Sequence, residues 1–96
     1  MVIKKIGVIG AGQMGHGIAL VSAQAGFEVY LNDIGDDFVQ GGLAKINKFL
    51  TKSVSKGRME EDTKNEILAR IKGTTDLKDL SDADIVIEAI VENAGI

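Results

Sequence analysis

Three glycines near the N-terminus have the spacing of a loop that binds phosphate groups. Gly10, Gly12 and Gly15 form a G-x-G-x-x-G pattern, which follows a short apolar run and opens a helical pattern. In this setting the first glycine permits a tight turn, the second lets the backbone approach a pyrophosphate, and the third lets the helix pack closely on the sheet. The helix N-terminus adds free N–H groups and the positive end of its dipole. The pattern predicts a dinucleotide-binding loop that comprises Gly10, Ala11, Gly12, Gln13, Met14 and Gly15.

An aspartate stands where this kind of loop needs a second polar group. Asp33 lies 23 residues after Gly10, at the end of a predicted strand over residues 28–32. A spacing of about 20 residues is typical of the carboxylate that accepts hydrogen bonds from ribose hydroxyl groups. Such a carboxylate favours NAD, because it repels the additional phosphate of NADP. The alternative is a solvated aspartate that caps the turn after the strand.

The composition is that of one small globular domain, and it excludes several classes of function. The chain has 96 residues, a hydrophobic content of 45% and a net charge of −3. The negative charge argues against a surface for nucleic acid, and the absence of cysteine excludes disulfides and cysteine-based metal sites. We predict no metal site. No apolar stretch is long enough for a signal peptide or a membrane span, so we expect a cytoplasmic location and no membrane partner.

Hydrophobic periodicity predicts four strands and three helices. In chain order they are a strand over residues 4–9, a helix over 14–25, a strand over 28–32, a long helix from 36 or 37 to 56, a helix over 60–70, a short strand over 71–75 and, after a polar connection, a strand over 84–90. This order fits the first half of a Rossmann-type, doubly wound α/β fold whose parallel sheet has the strand order 3-2-1-4.

Two of the predicted helices carry an apolar stripe that we expect to face the sheet. On the first helix the stripe consists of Met14, Ile18, Val21 and Ala25. On the long helix it consists of Val39, Leu43, Ile46, Leu50 and Val54. We interpret the pair Gly41-Gly42 inside the long helix as a point of close packing on a neighbour. A row of lysines on that helix, typical of a solvated face, comprises Lys45, Lys48, Lys52 and Lys56.

The predicted sheet has fewer strands than a doubly wound domain normally has. A complete domain of this kind adds further strands beyond the fourth, so residues 1–96 are expected to form only part of it. The fourth strand would then be an edge with an uncovered apolar face. Because such edges associate readily, we predict a homo-oligomer, either a dimer or a strand-swapped assembly.

Three blocks of the sequence closely resemble the start of the 3-hydroxyacyl-CoA dehydrogenases, a family that includes 3-hydroxybutyryl-CoA dehydrogenase. The first block is residues 6–19 with 25–29, the second is the paired-helix insertion ending in Lys56-Gly57-Arg58, and the third is residues 82–93. The resemblance implies a Rossmann fold that binds NAD and the oxidation of a 3-hydroxyacyl-CoA to the 3-ketoacyl-CoA. It also implies a homodimer, an acyl-CoA substrate and a role in fatty-acid degradation or butanoate metabolism.

The resemblance also assigns roles to individual residues. The glycine loop and Asp33 would hold the pyrophosphate and the adenosine ribose of NAD. The backbone at Ala89 and the carboxylate of Glu92 would lie around the nicotinamide half of the cofactor. Lys56 would contact a phosphate of CoA. The alternative for Lys56 is a cation that stabilises the C-terminus of its helix.

No residue of the chain is predicted to be catalytic. In the family the catalytic histidine, its glutamate partner and the substrate-contacting serine and asparagine all follow the fourth strand, as does a helical C-terminal domain that forms the dimer. The one histidine here, His16, falls in the first turn of the phosphate-binding helix, where it faces phosphates or solvent. Because a general base must reach the substrate hydroxyl, we expect the chain to bind nucleotide without turnover.

Besides a flavin-binding variant, which residues 88–93 do not suggest, two other functions are compatible with a glycine loop of this kind. Another Rossmann dehydrogenase, of the 3-hydroxyisobutyrate or 6-phosphogluconate type, would share the loop, but Ala11, the segment Gly17-Ile18-Ala19 and the acidic end of the second strand count against it. A non-catalytic nucleotide-binding module would bind the cofactor without dehydrogenase activity even in a full-length protein.

Overall fold

The computed structural model describes residues 2–89, and their sheet of four parallel strands carries the glycine loop. The elements are β1 (Lys5–Ile9), α1 (Gln13–Gln24), β2 (Glu28–Asn32), α2 (Asp36–Ser55), α3 (Glu61–Ala69), β3 (Ile71–Thr74), a 3₁₀ turn (Leu77–Leu80) and β4 (Ile85–Glu88). The strand order β3-β2-β1-β4, with each pairing parallel, confirms the predicted Rossmann-type fold. Within the described residues, no helix is both long and apolar enough to cross a membrane.

The central strand β1 is fixed by its two neighbours. Val8 lies opposite Leu31 of β2 and opposite Ile87 of β4. Val8 and Leu31 are fully buried, as is typical of parallel strands that helices cover. Other large side chains that are fully buried in the core are Val29, Val39, Ile46 and Leu50. The glycine loop therefore starts at the carboxyl end of a strand that packing holds on both sides.

The predicted buried face of α1 is wrong. Met14 is 57% exposed and Val21 is 64% exposed. The residues that α1 buries are Gly15, Ala19, Leu20 and Ala23. Most of these are small because α1 lies very close to the chain beneath it: a Cβ added to Gly15 would overlap the carbonyl oxygen of Gly10. The close approach of α1 to the backbone at Gly10 thus determines which face of the helix is buried, and the larger apolar side chains Met14 and Val21 stay exposed.

The predicted buried face of α2 is confirmed, and close packing is confirmed at one residue of its glycine pair. Val39, Ile46 and Leu50 are buried on this helix. A Cβ added to Gly42 would lie 2.8 Å from the carbonyl oxygen of Ala11, whereas one added to Gly41 would meet nothing within 4 Å. Only Gly42 has a packing reason to be glycine, and its neighbour is the glycine loop itself.

Strand β4 lies at one edge of the sheet and is paired with β1. Val86, near its middle, is 48% exposed. The strand is therefore the apolar edge that the sequence led us to expect within residues 2–89. Self-association through this edge stays a prediction.

Asp84, the residue directly before β4, links this strand to the start of β1. The Asp84 carboxylate accepts hydrogen bonds from the backbone N–H of Lys4, at 2.7 Å, and of Lys5, at 3.0 Å. These two bonds hold the pKa of Asp84 below its usual value. Nearby, the Lys5 ammonium lies 2.7 Å from Asp82, and their hydrogen bond lowers the pKa of Asp82 and raises that of Lys5. Ionised Asp84 therefore helps to hold β4 against β1.

The pH dependence of stability should reveal the Asp84 contacts. Because the folded-state pKa of Asp84 is lower than the usual 3.8, its contribution is present above that pH and is lost as the pH falls through the folded-state pKa. Asp84→Asn should therefore lower the free energy of unfolding at pH 6, and this difference from wild type should shrink at pH 3. Urea unfolding at the two pH values measures it, with Glu66→Gln, at an exposed carboxylate of α3, as the control. A difference equal at both pH values would contradict the assignment.

Two adjacent glycines of α2 should respond in opposite directions to alanine. Gly41→Ala should stabilise the chain by about 0.5–1 kcal/mol, because alanine is the better helix former and its methyl group meets open space. Gly42→Ala should destabilise it by about 1–3 kcal/mol, because the methyl group must displace the backbone at Ala11. Denaturant unfolding of both variants gives the comparison. Equal effects of the two substitutions on the free energy of unfolding would contradict the close contact between Gly42 and the backbone of Ala11.

Candidate nucleotide-binding site

The carboxyl ends of β1 and β2 bring the glycine loop and Asp33 together. The N–H of Gly10 donates to the carbonyl oxygen of Asn32, at 2.7 Å. The N–H of Ala11 donates to Oδ2 of Asp33, at 2.8 Å. Two predicted site segments that lie 22 residues apart in sequence are thus in direct contact.

The loop itself has the shape that a pyrophosphate requires. Gly10 has a φ of +104°, a conformation that side chains rarely adopt, and this turns the chain from β1 into α1. Gly12 is the N-terminal cap of α1 in extended conformation, and no side chain caps the helix there. A Cβ added to Gly12 would meet no protein atom within 4 Å. The space beside Gly12 is therefore open to a ligand, and the residues present fit a bound pyrophosphate.

The first turn of α1 supplies hydrogen-bond donors to that space. The first backbone N–H groups of a helix have no partner within it, and here they belong to Gln13, Met14 and Gly15. The side chains of Gln13 and Met14 are exposed. The positive end of the helix dipole adds to the attraction for an anion.

Asp33 is half-buried and oriented by backbone groups. Its Oδ2 accepts from the N–H of Ala11 and its Oδ1 accepts from the N–H of Ile34, at 2.7 Å. An ionised carboxylate oxygen has more than one acceptor site, so Asp33 retains acceptor capacity for ribose hydroxyl groups. The side chain of the next residue, Ile34, is almost fully exposed beside it.

Ala89 lies at the same end of the sheet as the loop. Its N–H donates to the carbonyl oxygen of Ile9, at 2.7 Å, and the residue is buried. Its Cβ would lie 3.7 Å from a Cβ added to Gly15. The structure thus brings Ala89 next to the glycine loop. Glu92, the other residue expected around the nicotinamide, lies outside the described residues.

A basic groove runs between the first turn of α1 and the middle of α2. It has a volume of about 380 Å³ and is lined by Gln13, His16, Lys45, Lys48, Phe49 and Lys52. Lys45 also lines a smaller cleft with Ala11 and Gly12, so the groove lies next to the glycine loop. Three lysines of the row on α2, which the sequence suggests is merely a solvated face, therefore form one wall of a groove.

Lys56 lies away from this groove. It caps the C-terminus of α2, is exposed, and its N–H donates to the carbonyl oxygen of Lys52, at 3.1 Å. This position suits a cation that stabilises the helix end. A contact between Lys56 and CoA stays a prediction.

Comparison with known proteins identifies the family. The sequence model of the family described as "3-hydroxyacyl-CoA dehydrogenase, NAD binding domain" matches residues 5–96. The chain belongs to this family. The match confirms the resemblance seen in the sequence and the cofactor predicted from the loop and Asp33, which is NAD. It also decides against the other types of Rossmann dehydrogenase.

Individual relatives within the family are similar along almost the whole chain. A 3-hydroxybutyryl-CoA dehydrogenase of Bradyrhizobium diazoefficiens is 54% identical over 91 residues, which are 95% of this chain and 31% of that protein. A probable 3-hydroxybutyryl-CoA dehydrogenase of Deinococcus radiodurans is 51% identical over 92 residues, or 96% of this chain and 33% of that protein. The chain therefore spans about a third of the length of these relatives.

A solved structure from the same family shares the fold closely. The crystal structure of (S)-3-hydroxybutyryl-CoA dehydrogenase from Ralstonia eutropha superposes with a TM-score of 0.92 at 44% identity. The superposition covers 96% of this chain and 32% of that one. The architecture described above is thus that of the family's NAD-binding domain.

Cofactor selectivity should depend on Asp33. Asp33→Asn should weaken NADH binding by about tenfold or more, because a hydrogen bond to a charged group is worth about 1.5–3 kcal/mol. Binding of NADPH should weaken less or improve, because the repulsion of the 2′-phosphate is removed. Fluorescence titrations with the two reduced cofactors measure both effects, with Glu66→Gln, at an exposed carboxylate of α3, as the control. An unchanged preference for NADH would contradict the assignment of Asp33 to the ribose.

Proposed function

We propose that these 96 residues form the cofactor-binding part of an NAD-dependent 3-hydroxyacyl-CoA dehydrogenase. The whole protein would oxidise a 3-hydroxyacyl-CoA to the 3-ketoacyl-CoA. The observation that carries the proposal is the direct contact between the glycine loop and Asp33, in a chain that belongs to this family.

The residues of this chain would act by binding and orienting the cofactor. The N–H groups at the start of α1 would hold the pyrophosphate beside Gly12, and Asp33 would accept hydrogen bonds from the adenosine ribose. Ala89 and Glu92 would border the nicotinamide half. When bound, NAD supplies the acceptor for the hydride that leaves the substrate.

The proposed substrate class rests on the relatives and on the basic groove. The relatives are 3-hydroxybutyryl-CoA dehydrogenases by name, and a CoA ester carries several phosphates and an adenine. Lys45, Lys48 and Lys52 offer cations to the phosphates, and Phe49, which is 51% exposed, offers an apolar surface to the base. Lys56 would extend this positive charge along α2. The preferred acyl chain length is left open.

We also propose that these residues bind NAD without catalysing the reaction on their own. His16, the one histidine, is hydrogen-bonded through Nδ1 to the carbonyl oxygen of Gly12 in the phosphate-binding segment. The family resemblance assigns the catalytic histidine, its glutamate partner and a helical dimerisation domain to later segments of the relatives. The exposed edge at β4 supports self-association of the chain.

Gly12→Ala tests the proposal with little risk to folding. Gly12 has an ordinary φ of −70°, and the added methyl group meets no protein atom, so the variant should fold like wild type. The methyl group would occupy the space of the pyrophosphate, so we expect the Kd for NADH to rise at least about tenfold. Fluorescence titration measures the Kd and circular dichroism checks the fold.

Gly17→Ala is the matched control for this experiment. Gly17 also meets no atom within 4 Å of an added Cβ, but it lies in the second turn of α1, and its alanine variant should bind NADH like wild type. A wild-type chain that does not bind NADH, or a Gly12→Ala variant that binds it equally well, would refute the proposed cofactor site. Formation of 3-ketoacyl-CoA by the isolated chain would refute the proposed lack of turnover.

A further inference from the structure

One ring nitrogen of His16 is hydrogen-bonded within residues 2–89, and the other is not. Its Nδ1 lies 2.8 Å from the carbonyl oxygen of Gly12. A carbonyl oxygen only accepts, so Nδ1 carries a hydrogen in this contact. The neutral ring then has an unprotonated Nε2, for which residues 2–89 provide no hydrogen-bond partner. Protonation of the ring therefore adds one N–H donor, at Nε2, on a residue that lines the basic groove.

The charged groups around His16 are mostly cations. From α2, Lys45, Lys48 and Lys52 face the groove, and α1 contributes the neutral Gln13. The ion pairs within residues 2–89 join Lys5 to Asp82 and Lys64 to Glu61 and do not involve the groove lysines.

Two carboxylates lie near this end of the groove. Asp37 lines the smaller cleft shared with Lys45, and Asp33 is hydrogen-bonded to the loop at Ala11. Neither lines the groove beside His16. The charged residues that line the groove with the ring are therefore cations, which suits the binding of an anion.

We propose that His16 is a proton-linked phosphate contact, which takes a proton from solvent onto Nε2 when a phosphate group of a bound nucleotide enters the groove. The inference rests on the proposed function, because it assumes that the loop and groove take phosphate-bearing ligands. Two ligands carry this chemistry, namely the pyrophosphate of NAD and the phosphates of CoA. By linkage, a ligand that promotes proton uptake binds more tightly at lower pH.

The first test is the pH dependence of NADH binding. The charge of the NADH pyrophosphate does not change between pH 6 and pH 8, while an ordinary histidine titrates near pH 6.5. We expect the Kd of the wild-type chain to rise about five- to tenfold between these pH values. His16→Asn keeps an amide N–H near the position of Nδ1, and His16→Gln places one near the position of Nε2. Both variants should lose the pH dependence, with less than about a twofold change.

The second test observes the proton directly. Because His16 is the one histidine in the chain, its imidazole Cε1–H gives a single NMR titration curve that needs no assignment by mutation. The midpoint of this curve should move to higher pH when NADH is present at saturation. A purely structural role for the ring would not move it.

A third set of titrations identifies the source of the phosphate. CoA and 3′-dephospho-CoA are titrated into the same three proteins, since a phosphate monoester changes its own charge near pH 6 whereas the diphosphate does not. If the Kd for NADH depends on pH in wild type but not in the two His16 variants, the contact is with the cofactor. If only the Kd values for the CoA compounds behave in this way, the contact is with the substrate. Equal pH dependence in wild type and both variants for all ligands would overturn the proposal. Failure of NADH to bind at any pH would instead refute the proposed cofactor site, while the CoA titrations would still decide the role of His16.

Discussion

The site depends on the close contact between the start of α1 and the turn that leaves β1. At Gly15 the helix comes so near to the carbonyl group of Gly10 that no side chain fits between them. This contact places the first turn of α1 over the end of the sheet and aims its N–H groups at the space beside Gly12. A helix held farther away by larger side chains would leave those donors out of reach of a common ligand.

The loop is then held from two further directions. On one side Gly42 lets α2 rest against Ala11, and on the other Asp33 accepts a hydrogen bond from the N–H of Ala11. The loop is thus fixed before any ligand arrives. Such preorganisation reduces the conformational entropy that binding must overcome, and it explains why a short loop without large side chains can present a defined surface.

The sequence predicts the fold and the contact between the glycine loop and Asp33, because both depend on local patterns. Periodicity indicates each strand and helix, and the spacing from Gly10 to Asp33 indicates that the two meet. The buried face of α1 was not predictable in the same way, because Met14 and Val21 dominate its hydrophobic pattern while backbone proximity at Gly15 decides its orientation. The basic groove was missed because its walls come from two helices, and no pattern within one helix shows what faces it. A surplus of lysines on one side of α2, close in space to a predicted phosphate loop, is the signal that could have suggested it.

The bond between Asp33 and Ala11 has a consequence for redesign of the cofactor preference. The same carboxylate that would select the ribose also satisfies a backbone N–H of the loop. A substitution that removes the side-chain oxygens as well as the charge, such as Asp33→Ala, would leave the N–H of Ala11 without its acceptor and loosen the loop. A successful change of cofactor in this domain therefore needs two alterations: a cation for the additional phosphate and a new acceptor for the loop.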